Sequence, residues 1–599
     1  MKGRRPTVRT KGSKTTVDVK NSVLSDMGSV KDMLEYVPGL MPDGSGGVKV
    51  PGRGRPLIEI DGREVTQQSL LDVLKSDNVD EIEIDRAPSV AYDSKVRAEV
   101  RIKTKRGIQD HLYLKVDNEA TLRSRFSETP SLDFRFKIGK LSVSSTYMYS
   151  RSDGVLDETY LRTIYHPDYT FNTAYDAHPH MPSQYHRFVW SADWDFTKKS
   201  RLSLLYLFTH DDQNFNTPSL YTQTGQGETV QKNVNEVNNQ LRNVHDLSLS
   251  YDHRFSKEHR LLIVADYAST HRHTMDGTEE TNLDTGDYSH IRTWGKGKYD
   301  TYTGSVRYNV VLPGEVKARV GGKYAYVRSH SDRTSDNPYL DGGDYWNMTR
   351  VRNQSASAYL NLSRRWKRVT AEAGLRYEFE RSRIATAGSS DGDRVNNRNS
   401  RFTPSLRLTY EVNDDWFLEA NYRRYSSRVN FNQLVPSSVY KDSLSYEMGN
   451  AEVQPSFTHS ASVDVTWKDW NLSASYMHTT DEITSAWVNL DNQTNVATYM
   501  PFNFSTMKMW GLSLSYNKSI KKLFLYASAN VSFPHSRYPF LGEERTADMV
   551  SWGGNLNLNY TLNKQWTFYT TFSYESRSEY GITFIHSRTG GTWACVPAS

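Results

Sequence analysis

A single cysteine, Cys595, leaves no intramolecular disulfide to staple this chain. Long apolar runs are missing too. No stretch of 18 apolar residues occurs in the 599, and mean hydropathy is −0.69, so transmembrane helices are excluded. A membrane-spanning sheet is not excluded, because its strands need only about 9–11 residues with every second one apolar. An excess of one charge is also lacking. The 74 Lys and Arg exceed the 69 Asp and Glu by 74 − 69 = 5, interspersed rather than blocked, so nucleic acid is not an expected partner. No nucleophile elbow, P-loop or HExxH motif is found, and the expectation is a chain that is not an enzyme and holds no cofactor. Asp391-Gly392-Asp393 hints at calcium but lacks the rest of an EF-hand loop, and reads as a solvated loop.

Two regions follow different rules. The start, Met1-Lys2-Gly3-Arg4-Arg5-Pro6, has the charge of a signal peptide without an apolar core behind it, so residues 1–22 read as a polar leader. Residues 23–107 read as a compact α/β unit. Ser29 can cap a helix carrying Val30, Met33, Leu34 and Val37, stopped by Pro38-Gly39. Short strands are expected at Val48–Val50, Leu57–Ile60, from Val79 and at Val100–Thr104, with a second helix bearing Leu70, Leu71 and Leu74.

From 108 onward the period is two. Phe188, Trp190, Ala192, Trp194 and Phe196 alternate with polar residues; so do Val369, Ala371, Ala373, Leu375, Tyr377 and Phe379. The alternation lasts about 9–14 residues, longer than the roughly 5–6 of soluble strands. Very short turns (Thr197–Ser200, Leu312–Gly314, Asn413–Asp415, Lys468–Asp469, Asn563–Gln565) alternate with long polar loops at 152–183, 212–241, 273–297, 331–349, 382–398 and 428–456. Short turns on one side and long loops on the other is the outer-membrane barrel pattern, with the short turns periplasmic. Trp194, Trp366, Trp416, Trp467, Trp470 and Trp566 flank the short turns, as an interfacial girdle would. The fold class expected is therefore mainly β: a transmembrane antiparallel barrel over 108–599 with a small α/β domain before it.

The leading unit resembles the plug domain of TonB-dependent outer-membrane receptors along most of its length. The resemblance rests on an ordered series: Val37-Pro38-Gly39, Asp43-Gly44, Val48-Lys49-Val50, Gly52-Arg53-Gly54-Arg55-Pro56, Leu57 to Gly62, Val79 to Ile84, Pro88 to Asp93, and Ala98 to Lys105. Gly449-Asn450-Ala451-Glu452-Val453-Gln454-Pro455 is similar to a turn of one barrel subfamily, with Ala451 where proline is usual. The resemblance implies a 22-stranded barrel with the plug in its lumen, in the bacterial outer membrane. It also implies energised uptake of a scarce solute (siderophore, glycan or peptide) and partnership with the inner-membrane TonB complex through an N-terminal TonB box. Outer-membrane lipids and a small solute are the other partners, with a surface lipoprotein where glycans or peptides are carried. No TonB box is recognisable in residues 1–22. About 20 strands are visible, the last near Gly581–Ser587, and Gly590 to Pro597 breaks the alternation. An open edge of about five unpaired N–H and C=O pairs would cost on the order of tens of kcal/mol in lipid. Truncation, with about two further strands, is the corresponding expectation.

Candidate ligand contacts are Arg53 and Arg55 in the plug's Gly-rich turn, and Tyr165, His166, Tyr169, Tyr175, His178 and His180 in the loop at 152–183. The first pair offers a cationic patch, or contacts to acidic groups on the barrel's inner wall. The second set offers metal-chelate ligation or sugar stacking, or is an ordinary extracellular loop. Two rivals to uptake stay open: a non-transporting adhesive or structural barrel, and a passive porin.

Overall fold

The computed structural model describes residues 7–597 except 21, 44–46, 52, 66–68, 106–110, 123–124, 166–168, 257, 337–343, 389–393, 429–433, 435–438, 443–444, 451, 489–496, 541–542, 563–565, 581–582 and 586. Asp391-Gly392-Asp393, His166 and the turn Asn563–Gln565 lie outside the described residues.

The plug is a six-stranded sheet with two short helices. In chain order its elements are β1 (Thr7–Lys11), β2 (Lys14–Asp18), α1 (Val30–Glu35), the small ribbon β3 (Met41–Pro42) and β4 (Val48–Lys49), β5 (Leu57–Ile60), β6 (Arg63–Glu64), α2 (Ser69–Val73), β7 (Val79–Asp85) and β8 (Glu99–Thr104). The sheet order is β1-β2-β7-β8-β5-β6, with β5 and β8 parallel. Ser29 caps α1 in a full capping box with Asp32, which fixes the helix start and turns Val30, Met33 and Leu34 into the core. That core joins Val17, Val19, Leu24, Ile82, Ile84, Val100 and Ile102, all nearly solvent-free.

This corrects the reading of residues 1–22 as a leader, because β1 and β2 are structural strands of the plug sheet. The segment looks polar because it is an edge hairpin with one dry face: Thr15, Val17 and Val19 point inward and the residues between them outward. Its turn also docks on the barrel. Gly12 has φ +57, and a Cβ there would lie 2.7 Å from Glu419 Oε2 and 2.8 Å from the Phe417 ring, so only glycine fits. Gly12 N–H donates to Thr466 Oγ1 (3.1 Å) and Ser13 N–H to Glu419 Oε1 (3.1 Å).

Among the described residues twenty long antiparallel strands make the wall, from His111–Leu122 to Arg588–Pro597. The sheet closes into a barrel, with the last of these strands beside the first. The final strand is Arg588–Pro597, paired along Trp566–Glu575; the stretch near Gly581–Ser587 contributes only a small hairpin between Ser578–Tyr580 and Thr583–Ile585. The closed wall removes the open edge on which the expectation of two further strands rested, and the wall has twenty strands where the resemblance implied 22. Gly590-Gly591-Thr592 hid the last strand, since glycines carry no alternation to read.

Several expected loops are also strand. Ser200–Gly225 and Glu228–Arg254 run without a break through 212–241, joined by Gln226-Gly227, whose φ values of 54 and 85 suit a tight hairpin turn. Arg260–Asn282 and Tyr288–Leu312 likewise absorb most of 273–297. Above the membrane both faces of these arms are wet, so the ladder continues although the hydrophobic alternation stops.

Where the alternation was read, the faces are as expected. Leu360, Leu375, Phe402, Leu406 and Leu408 look outward, each at least 44% exposed, whereas Arg376, Glu378 and Arg401 on the same strands face the lumen and are buried. The six girdle tryptophans are 40–51% exposed, which on a membrane barrel is exposure to the lipid interface.

Candidate functional site: the plug against the inner wall

The plug segment Ala87–Arg97 meets one sector of the wall, formed by Val369–Gly388, Arg394–Glu411 and Trp416–Ser427. Strand alternation puts every second residue of that sector inside, and there the sequence is charged: Arg376, Glu378 and Glu380 sit between Leu375, Tyr377 and Phe379. Glu378 accepts from the Ser94 N–H (3.0 Å) and hydroxyl (2.6 Å) of the plug, and from Arg376 Nε at 2.6 Å; Arg401 Nε lies 3.2 Å away. Arg423 donates to four plug carbonyls: Pro88 (2.6 Å), Val96 (3.3 Å), Tyr92 (3.2 Å) and Asp93 (3.1 Å). Arg428 pairs with Asp93 at 2.9 Å. Burial would raise the Asp93 carboxyl, but Arg428 and Lys95 outweigh it and hold it below its ordinary value. Gly374 lets the two surfaces touch, since a Cβ there would be 2.5 Å from Val90 Cγ2.

A second contact lies nearer the N-terminal hairpin. Arg407 reaches both Asp85 oxygens (3.2 and 3.3 Å) and the Ala87 carbonyl. Burial works against the Asp85 charge, yet Arg407 and Lys14 hold its pKa at about 2. Beside it burial pushes Glu99 up to about 7, despite Arg101 at 3.6 Å, with the Glu59 carboxylate adding to the rise. A carboxyl raised in the folded state carries its proton where the unfolded chain, near 4.5, has lost it. Plug stability should therefore fall as pH rises from about 4.5 to 7 and level off above, by up to about 3 kcal/mol. Urea midpoints for the plug in detergent at pH 5 and 7.5 should differ accordingly, and Glu99→Gln should flatten the difference. An unchanged slope in that variant would remove Glu99 as its source.

Further round the wall Lys323–Glu64 (2.5 Å), Arg307–Glu59 (3.5 Å), Arg187–Asp72 (2.6 Å) and Arg135–Asp77 (3.3 Å) bridge it to the plug, and three adjoining cavities of about 380, 470 and 400 Å³ lie between the two, the first beginning at Asp85, Glu372 and Arg407. They share Arg101, Tyr92 and Arg319, then Asp61, Arg260 and Leu262, and so form one crevice from Lys14 round to Arg135.

The sequence-derived candidates fall on two separate elements. Arg53 touches the wall through Ser460 Oγ (3.2 Å), a hydroxyl rather than the acidic group anticipated. Arg55 pairs within the plug, with Asp43 at 2.5 Å. Lys49 likewise meets a carboxylate, Glu575 at 2.6 Å, whereas Arg97 resembles Arg53 in lying near a hydroxyl, Thr458 Oγ1 at 3.4 Å. The loop at 152–183 folds as a hairpin, Glu158–Tyr165 with Thr170–Ala177, lying on the extracellular arm of Ser200–Gly225. Tyr165 ends its first strand and Tyr169 precedes its second. Tyr175 stacks between Tyr160 (4.9 Å) and Tyr221 (4.5 Å), so both its faces are covered by protein. His178 meets Asp157 and His180 meets Asp153, each at 2.8 Å. Sequence reasoning missed Arg376, Glu378, Arg401, Arg423, Arg428 and their plug partners. The available signal was charge at successive inward positions of one membrane strand.

The outer membrane protein beta-barrel family matches residues 289–592, half of the chain, and the chain belongs to that family. It is thus a protein of the bacterial outer membrane. No protein of curated function matches it by sequence. Among solved structures it is similar to the siderophore receptor PirA of Pseudomonas aeruginosa (14% identity, 98% of this chain and 93% of that one, TM-score 0.54). It is also similar to the siderophore receptor PiuA of Acinetobacter baumannii (13%, 99% and 91%, TM-score 0.61) and to the alcaligin outer-membrane receptor FauA of Bordetella pertussis (14%, 98% and 95%, TM-score 0.52). At such identities the likeness is one of fold, a barrel with a plug domain.

Proposed function

We propose that this chain is a TonB-dependent receptor that takes up a scarce anionic solute, of the ferric-siderophore class, across the outer membrane. The observation that carries the reading is the character of the plug–wall contact. It is built from buried ion pairs and arginine–carbonyl hydrogen bonds, not from an apolar interface. Such contacts are costly to leave unpaired but can be exchanged for water or ligand groups, which suits a plug that must hold and then yield. Arg53 and Arg97, which meet hydroxyls rather than carboxylates, support an anionic cargo, and the resemblance to siderophore receptors in fold agrees with it. A pull on residues before Thr7 would load β1 first, and through it the Gly12–Ser13 contact and Asp85. Solute would then pass along the crevice that already separates plug from wall.

Deleting the gene and supplying iron-55 as a panel of catecholate and hydroxamate ferric siderophores tests the reading. Growth and uptake with one member should be lost on deletion, restored by the gene, and abolished by a protonophore. Uptake that survives the protonophore would favour a porin; host-cell binding with no uptake of any solute would favour an adhesin.

A further inference from the structure

The outward face of the wall changes character abruptly at one height. On Val369–Gly388 the lipid-facing positions run up through Leu375, Tyr377 and Phe379 and then become Arg381 and Arg383. On Arg394–Glu411 they run through Leu408, Leu406 and Phe402 to Arg398, and on Asp344–Trp366 through Leu360 to Arg352. From Val369 to Phe379 is about 33 Å of strand at 3.3 Å per residue, or about 25 Å of height at a tilt near 40°, the thickness of the apolar band. The arginines therefore begin where the outer leaflet's acyl chains end.

These cations sit against one another. Arg381 is directly opposite Arg398, and Arg383 directly opposite Arg352. Like charges facing across a ladder are destabilising unless something neutralises them. Among the described residues none of the four lies within ion-pair reach of a carboxylate, and Arg381 Nε has no hydrogen-bond partner; Arg352, Arg383 and Arg398 are exposed. Arg352 also faces Arg328 on its other side, but Arg328 in turn faces Asp300, whereas none of the four arginines faces a carboxylate across the ladder.

We propose that Arg352, Arg381, Arg383 and Arg398 form a binding site for the phosphorylated headgroup of an outer-leaflet glycolipid of the lipid A class. Guanidinium groups take phosphate bidentately and cannot lose their charge. The acyl chains of such a lipid would lie on the Leu375, Phe379, Phe402 and Leu406 surface directly below. The site stands on the wall's outer face, away from the plug, and is independent of the solute carried.

The test uses the full-length protein in dodecyl maltoside, with diphosphoryl lipid A and its chemically dephosphorylated form as probes and affinity read by thermophoresis. The wild type should bind the phosphorylated lipid at least tenfold more tightly, since each basic residue at such a surface contributes roughly a few-fold in affinity. The quadruple Arg→Gln variant (Arg352→Gln, Arg381→Gln, Arg383→Gln, Arg398→Gln) should lose that preference, and the matching Arg→Lys variant should keep part of it. Equimolar inorganic phosphate should not displace the lipid. A preference retained by the Gln variant, no preference in the wild type, or displacement by free phosphate would each overturn the assignment. Heat-modifiable mobility on gels monitors folding of every variant.

Discussion

Glu378→Ala is expected to free the plug from the wall at a cost of about 3–5 kcal/mol, the usual consequence of leaving buried cations without their counterion. Arg376 and Arg401 are 2% and 4% exposed and both lean on this carboxylate, and Ser94 loses two hydrogen bonds at once. Urea titration in detergent, following a fluorophore on the plug, should show its release shifted to lower denaturant while the barrel transition stays in place. Glu378→Gln separates charge from shape, because the amide can still accept from Ser94 but neutralises nothing. It should keep only a minor share of the wild-type stability. A double-mutant cycle with Ser94→Ala should return a coupling of about 1.5–3 kcal/mol, the range for hydrogen bonds to a charged group. Additive effects would mean that Glu378 only organises the wall and does not hold the plug.

Arg423→Ala should act on the same equilibrium through backbone rather than through charge. One guanidinium serves the carbonyls of Pro88, Tyr92, Asp93 and Val96, and so fixes the course of the whole segment between them. Each buried carbonyl left unmet costs about 1–3 kcal/mol, and water entering the gap recovers part, so a net loss of about 3–5 kcal/mol is expected. Arg423→Lys should rescue little, because an ammonium has three donors and no planar fork to span four acceptors. Limited proteolysis should nick the variant within 87–97 where the wild type resists. Equal resistance would show that the segment holds its shape without this arginine.

The fold was legible wherever one face of an element is dry and the other wet. That condition holds for α1, whose Ser29 cap and apolar triad are readable in the chain, and for wall strands such as Val369–Gly388 within the membrane. It fails at both ends of the wall strands. Above the membrane the arms of Ser200–Gly225 and Glu228–Arg254 are wet on both faces and read as loop. At Arg588–Pro597 the glycines leave nothing to alternate. It fails also at β1 and β2, where two valines inward are too few to outweigh lysines and threonines outward. The site was less legible than the fold. Arg53 and Arg55 drew notice through their glycines, but the residues that hold the plug are charges hidden at inward positions of strands recognised by their outward ones. Pairing them with Asp93, Ser94 and the Pro88 carbonyl requires knowing that two segments nearly 300 residues apart meet, which no local pattern records.

If the chain carries solute as proposed, passage requires the plug to part from the Glu378–Arg423 sector of the wall. A reversible staple tests it most directly. A Cβ on Gly374 would lie 2.5 Å from Val90 Cγ2, space that Val90→Cys partly clears, and the ends of Asn361 and Ser405 at 2.7 and 2.9 Å must turn aside; Val90→Cys with Gly374→Cys, in a Cys595→Ser background, then gives a bridge to be closed and opened in the same cells. Uptake of the ferric siderophore identified by the panel should stop when the bridge is oxidised and return when it is reduced, with surface binding unchanged. Equal uptake in the oxidised and reduced states would contradict it.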